Sequence, residues 1–275
     1  MNRFMKNRLP ITFLTILLLL GASVPLLAAT INVPADFKTI QEAVNAASAN
    51  DTIVVGEGRY RENIVVSKPL VIRSSKGPAG STIRAFQPGA PVITVTAEGT
   101  TVEGLRFTGS DVSGIMLSGV KNSSIVNNEA TGNWIGITLR RSDGNKISGN
   151  AANINRSYGI YMEYSNDNMV ERNAANRNDD KGIFVSYSND NTIRENTLNL
   201  NTWEGILLWV SNRNTITDNR TLRNTFGMVI SESSDNALSG NTSFPNIFLI
   251  LPILLIYIGI ISYIIQKSVM RFIYR

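Results

Sequence analysis

Glu163 and Asp180 are the side chains of this 275-residue chain with the best claim to acid–base chemistry. A pair of carboxylates can serve as proton donor and as base or nucleophile. Each, however, lies in a pattern that supplies a cation. Lys181 follows Asp180, and it stands as far before Glu204 as Arg140 does before Glu163. The plainer reading is therefore a set of surface ion pairs, Arg140–Glu163 and Lys181–Glu204, worth under about 1 kcal/mol each. No carboxylate is isolated in a way that would raise its pKa for acid work. Histidine and cysteine are absent, which removes imidazole and thiolate from catalysis and from transition-metal binding. Met116, Met162, Met169 and Met228 read as core filler rather than as a thioether cluster. A second acidic set, Asp143, Asp167, Asp190 and Asp235, recurs near one turn. Calcium takes such oxygen ligands, but Asp is also an ordinary corner residue, and Arg213 falls between Asp190 and Asp235. The residues call for no cofactor, with calcium the one ion these turns could hold.

The aromatic residues form a different kind of site. Tyr161 and Phe184 belong to a column that runs Met116, Thr138, Tyr161, Phe184, Leu207, Val229. Tyr164, Tyr187 and Trp209 lie beside it, and Trp134, Tyr158, Trp203 and Phe226 come just before it. An exposed apolar strip of this size points to a partner; aromatic stacking that only stabilises a sheet is the alternative. Flat rings would suit the C–H faces of sugars. Tyr161, Tyr164, Phe184, Tyr187, Trp203 and Trp209 are the candidate ligand-binding residues, with a polysaccharide or a surface protein as partner.

These residues are positioned by a repeat. From Gly114 to Asn241 the chain reads GIMLSGVKNSSIVNN, GITLRRSDGNKISGN, GIYMEYSNDNMVERN, GIFVSYSNDNTIREN, GILLWVSNRNTITDN and GMVISESSDNALSGN. The leading glycines, Gly114, Gly136, Gly159, Gly182, Gly205 and Gly227, are evenly spaced. A fixed period of this kind, one coil's worth of chain, marks a solenoid. Each unit has room for short strands and none for a useful helix, and the leucine-rich repeat consensus is absent. Ile115, Ile137, Ile160, Ile183, Ile206 and Met228 fall at one place, and Leu117, Leu139, Met162, Val185, Leu208 and Ile230 at another. Strand alternation turns both columns to one face. Ile125, Ile147, Val170, Ile193, Ile216 and Leu238 supply the opposing wall. One unit cannot bury such a face, whereas stacked units share a continuous core. A polar column, Asn122, Asn145, Asn168, Asn191, Asn214 and Asn236, predicts a ladder of amides stacked at about 4.8 Å. The fold class expected is all-β, a parallel β-helix of roughly ten coils and about 48 Å.

The ends differ from the repeat. Residues 1–29 carry Arg3, Lys6 and Arg8, an apolar run and a small-residue stretch ending Ala28-Ala29, the form of an export signal. Residues 30–50 hold a first strand and a short amphipathic helix, Thr39 to Ala49, with Ile40, Ala43, Val44 and Ala47 on one face and Phe37 at its entry. That helix suits the task of capping the first coil. Residues 51–113 are less regular coils, and 114–243 are the regular ones. Residues 244–266 include nineteen uncharged residues, IFLILPILLIYIGIISYII, long enough for a bilayer core of roughly 30 Å. The basic tail 267–275, with Lys267, Arg271 and Arg275, falls on the cytoplasmic side by the positive-inside rule. The expectation is an exported, single-pass protein held by its C-terminal helix. Six of the 26 basic residues and none of the 21 acidic ones lie in the two terminal segments, so 20 basic residues face 21 acidic ones between them. The overall charge of +5 is thus a topology signal, and nothing argues for nucleic acid. Without cysteine the exported part has no disulfide framework. Asn50, Asn122, Asn155, Asn219 and Asn241 are in N-x-Ser/Thr sequons, as an Asn-rich chain produces by chance.

The run FKTIQEAVNAASANDTIVVGEGRYRENIVVSKPLVI resembles the start of right-handed β-helix proteins of the pectin-lyase-like superfamily, and the GIxLxxSxxNxIxxN repeat resembles the NosD-type β-helix domain. The resemblance covers about residues 30 to 243. It implies a right-handed parallel β-helix on an exported protein, with repeats shared by carbohydrate-binding proteins and sugar hydrolases. Three activities follow from it as expectations: polysaccharide lyase, glycoside hydrolase, and an accessory scaffold in copper-enzyme maturation. The motif residues are structural and specify none of the three. With no histidine and no placed carboxylate pair, a non-catalytic binding role is the reading favoured.

Overall fold

The computed structural model describes residues 28–245 and 247–273. The segment 1–27, which holds nearly all of the expected export signal, lies outside them. From Thr30 to Pro245 the chain winds as a parallel β-helix with three walls. The longest wall has ten strands, from Thr30–Val33 to Ala237–Ser239, which bound nine turns. A second wall has eight strands, from Ile64–Val66 to Phe226–Ser231. All pairings are parallel, and the eight-stranded wall keeps the register of the repeat: Ile137 lies beside Ile160, Ile160 beside Ile183 and Ile183 beside Ile206.

The third wall has no counterpart in the sequence reading. It begins as four strands, Gly58–Arg61, Ser81–Arg84, Arg106–Thr108 and Glu129–Ala130. It then thins to single bridges through Ala151, Ala174, Thr197 and Arg220. Its inward residues, Ile83, Phe107, Ala130, Ala152, Ala175 and Leu198, are fully buried. The three alanines among them lie against the corner that leads into the eight-stranded wall. The leading glycines sit at that corner. A Cβ on Gly159 would lie 2.6 Å from Ala175 Cβ, 2.7 Å from Gly182 O and 2.8 Å from Asn178 Nδ2. Close approach of stacked backbones therefore selects glycine here.

Buried amides close the corners. Asn145, Asn168, Asn191, Asn214 and Asn236 form one ladder, each backbone N–H donating to the next Oδ1 at 2.8–2.9 Å. Each side chain also donates backwards, as Asn168 Nδ2 does to Ser142 O at 2.9 Å. Asn122 is not a rung, contrary to the sequence reading. It is exposed, with a φ of 54°, and aligns with Gly144, while Ser123 N–H donates to Asn145 Oδ1 at 2.9 Å. Asparagine tolerates this left-handed corner, so the residue type suits either place and the alignment slipped by one. Two further ladders run through Asn128, Asn150, Asn173, Asn196, Asn219 and Asn241, and through Asn133, Asn155, Asn178, Asn201 and Asn224. The sequon residues Asn155 and Asn219 are among these buried rungs.

Helix α1, Ile40–Ala46, covers the first coil with Ile40, Ala43 and Val44 buried. It stops short of the expected end at Ala49. Thr39 and Glu42 form a capping box, Glu62 accepts from the N–H groups of Ile40 and Gln41, and Lys68 donates to the carbonyls of Asn45 and Ala47. At the other end Ile230, Leu238 and Phe244 are 40%, 44% and 72% exposed. Helix α2, Ile247–Ile273, follows the last strand with one residue between. Among the residues whose side chains are described, no helix is long and apolar enough to cross a membrane. Residues 247–250, 252–254 and 268–273 of α2 are outside that set, and the membrane anchor stands as a proposal.

Candidate functional site: the outer face of the eight-stranded wall

Strand alternation puts Tyr161 and Phe184 on the outer face, between the buried Ile160/Met162 and Ile183/Val185 pairs. Register stacks them directly. Their ring centroids are 5.2 Å apart and nearly parallel, and Tyr158 meets both at 5.4 and 5.3 Å. The resulting cluster holds Tyr161 away from water. Burial, then the nearby Glu163 carboxylate, push its phenol up to about 12.

A second row lies at the following corner. Tyr164 stacks on Tyr187 at 5.0 Å, and Tyr187 meets Trp209 edge-on at 5.1 Å. Tyr164 and Tyr187 each have a φ of 48°, a left-handed conformation that is costly for a bulky residue. Gly119 fills the equivalent place in an earlier coil. The corner thus turns both rings outward, leaving them 47% and 37% exposed. Five of the six aromatic candidates fall into these two rows. Trp203 does not: it is half-exposed and has no aromatic neighbour among the described residues.

The carboxylates occupy the same face. Glu163 Oε2 accepts from Arg140 Nε at 2.8 Å. Asp180 Oδ1 accepts from Lys181 Nζ at 2.6 Å, and the same ammonium lies 3.4 Å from Glu204 Oε2. Glu204 Oε2 is buried yet has no hydrogen bond, so the contact with Lys181 is coulombic and poorly aligned. Lys181 also lies over the Tyr158 and Phe184 rings, 5.4 and 5.7 Å from their centroids. Burial works against its charge, but Asp180 first and then Glu204 outweigh that and hold the ammonium above the usual lysine range. Lys181 is the centre of this cluster, joining the Asp180 and Glu204 carboxylates, already paired with it in the sequence reading, to the Tyr158 and Phe184 rings. The contact with the rings follows from the column just before the glycines, Tyr158, Lys181, Glu204, one residue per coil.

The turn carboxylates do not converge. Asp190 is held below the usual carboxylate range by a two-pronged contact with Arg213, at 2.8 and 2.6 Å. Asp143 instead accepts from the backbone N–H of Asn166. Among the described residues no three acidic side chains gather as metal ligands would.

A family model for a right handed beta helix region matches residues 80–219 and 179–246. The chain belongs to that family. No curated protein matches it in sequence. Among solved structures, the β-helix is similar to the catalytic domain of a GH87 alpha-1,3-glucanase in complex with nigerose, with a TM-score of 0.63 and 17% identity over 78% of this chain and 45% of that one. It is similar to pectate lyase Pel9A, at 0.61 and 14% over 79% and 74%. The periplasmic alginate epimerase AlgG gives 0.55 and 16% over 76% and 55%. This right-handed β-helix thus spans less than half of the glucanase chain. At these identities the likeness concerns the fold, which is shared with polysaccharide lyases and glycoside hydrolases.

Proposed function

We propose that the protein is a membrane-anchored, non-catalytic β-helix of the cell surface or periplasm whose eight-stranded wall binds an extended polysaccharide. The observation that carries this reading is the double row of aromatic rings across successive coils. Rings repeated at about 4.8 Å match a polymer better than a small metabolite, which favours a concave pocket. Arg140, Glu163 and Ser186 lie beside them and could meet sugar hydroxyls. Support for the anchor comes from the uncharged residues 247–265 and the basic residues that follow. Support for export comes from the form of residues 1–29. The resemblance of the repeat to the NosD-type domain offers an alternative role, an accessory scaffold in copper-enzyme maturation without direct copper ligands.

Titration calorimetry with envelope polysaccharides tests the binding. The wild type should bind at least one, and a Tyr161→Ala, Trp209→Ala double variant should bind it weakly or not at all. Equal binding by both, or none by either with the fold intact, would leave the rings as sheet stabilisers alone.

One observation favours a second reading, a lyase or hydrolase: the buried, non-hydrogen-bonded Glu204 oxygen beside Lys181 and Asp180. The named neighbours include enzymes of polysaccharide cleavage. Steady release of reducing ends or unsaturated uronate, lost on Glu204→Gln, Asp180→Asn or Glu163→Gln, would establish it in place of the binding role.

A further inference from the structure

On the outer face of the third wall, arginines stand in direct strand register with one another. On the other walls several arginines face a carboxylate one coil away, as in Arg140–Glu163, Arg172–Glu195, Arg194–Glu171 and Arg213–Asp190. On the third wall Arg61 lies in direct register with Arg84. In the neighbouring column Arg59 is followed by Thr82 and then Arg106. These four arginines line one groove of about 330 Å³ together with Thr82 and Thr108. Only Arg106 has a carboxylate partner among the described residues, Glu129 at 2.7 Å. Like charges in direct cross-strand register cost stability, and nothing in the fold requires them here.

The guanidinium groups are also held in place. Arg61 lies over the Phe86 ring, 5.3 Å from its centroid. Arg84 lies across Gly109, where an added methyl would come within 3.1 Å of its Cγ and 3.3 Å of its Nε. Arg106 is fixed by Glu129 through Nε at 3.0 Å as well. Positioned, unpaired guanidinium forks are the groups that recognise oxyanions. The patch ends after three coils, since the bridges that follow on this wall run through Ala151, Ala174 and Thr197. A long nucleic acid would need a basic track, which this wall does not offer.

We propose that this groove binds a tetrahedral oxyanion, a phosphate or sulfate ester. Three unpaired cations exceed what one carboxylate would balance. The site is on a different wall from the aromatic rows and does not depend on what those rows bind.

The test uses the full chain in detergent and calorimetry with inorganic phosphate, sulfate, acetate, dextran sulfate, neutral dextran and phosphatidic acid vesicles. Phosphate and sulfate should bind more tightly than acetate, neutral dextran should not bind, and affinity should fall as salt rises. An Arg61→Gln, Arg84→Gln variant should lose about tenfold or more in affinity, the loss expected for two charge-assisted contacts. It should unfold at the same temperature as wild type or higher, because the like-charge pair is gone. A charge-matched Arg172→Gln, Arg213→Gln control should bind inorganic phosphate as wild type does, and so should the Tyr161→Ala, Trp209→Ala variant. Preference for dextran sulfate would identify a polymer-borne ester, preference for vesicles a headgroup, and equal affinity for free phosphate the anion itself. Equal binding by the Arg61/Arg84 variant and wild type, or no binding of phosphate, sulfate or any of their esters by a folded protein, would overturn the proposal.

Discussion

The two ends of the β-helix solve the same problem in opposite ways. At the N-terminal end, Ile53 is fully buried, because the strand Thr30–Val33 stacks beyond it and α1 covers the coil. At the C-terminal end, Leu238 belongs to the same apolar column but is 44% exposed. The strands Phe226–Ser231, Ala237–Ser239 and Thr242–Pro245 are each the last of their sheet. Such edges are templates for further pairing. One end is therefore closed by its own chain, with a capping box, Glu62 and Lys68 tying both ends of a seven-residue helix. The other end passes straight into α2. Solenoid stability here is graded along the axis, greatest where each coil has a neighbour on both sides.

Four measurements would break or sharpen that contrast. The largest effect should come from the shared column. Ile53→Ala should cost about 2–5 kcal/mol and Leu238→Ala well under about 1 kcal/mol in urea unfolding. Comparable losses would mean that the C-terminal end is covered in solution. Next come the amides. Asn168→Leu leaves buried partners unmatched and should cost about 1–3 kcal/mol for each, whereas Asn236→Leu, half-buried at the open end, should cost less. Thr39→Ala removes the cap of α1 and should cost about 1 kcal/mol, seen as a lower thermal midpoint.

The smallest effect concerns pH. Glu171 lies on the outer face of the ten-stranded wall, under Arg194 at 2.5 Å and Lys146 at 3.1 Å. Burial raises its pKa, but those two cations more than offset this and hold the carboxyl below its usual range. Its folded value being depressed, its contribution is present above the ordinary glutamate range and is lost as pH falls through the folded value. The carboxylate is covered by surface side chains rather than core, so screening limits the contribution to about 1 kcal/mol or less. Glu171→Gln should flatten the acid limb of the stability–pH curve by lowering stability at neutral pH by about 1 kcal/mol or less, with the acid end little changed. An acid limb identical to wild type would show that the contact is not kept in solution.

The parts of this fold that could be read from residues are those where one column carries one property. The isoleucine columns did so, and so did the aromatic outer face. The third wall could not be read, because Ala151, Ala174 and Thr197 contribute single bridges with no strand-like pattern. Asn122 was misplaced because asparagine satisfies both a ladder and a left-handed corner. The arginine groove was hidden for another reason: Arg61 and Arg84 lie a full coil apart in a region whose repeats are irregular. Only the register of the strands shows that like charges face each other. Within the aromatic face, Tyr164 and Tyr187 were legible as neighbours, but their outward turn depends on a backbone conformation that residue type does not announce.

The asparagine rungs have a consequence for how such a chain can change length. Each amide bonds within its own coil or to the coils on either side of it, as Asn168 does with Asn145 N–H, Ser142 O and Asn191 Oδ1. No bond in a ladder registers how many coils lie farther along. Excising residues 159–181 would join Tyr158 to Gly182 and bring Asn191 under Asn145, with every inner ladder again continuous. Duplication of the same segment would be equally silent. An insertion that is not a whole number of coils would break several ladders at one corner. The molecule can therefore grow or shrink by whole coils while its two ends and its fold stay the same, and the reach of its outer faces is set by gene duplication rather than by redesign.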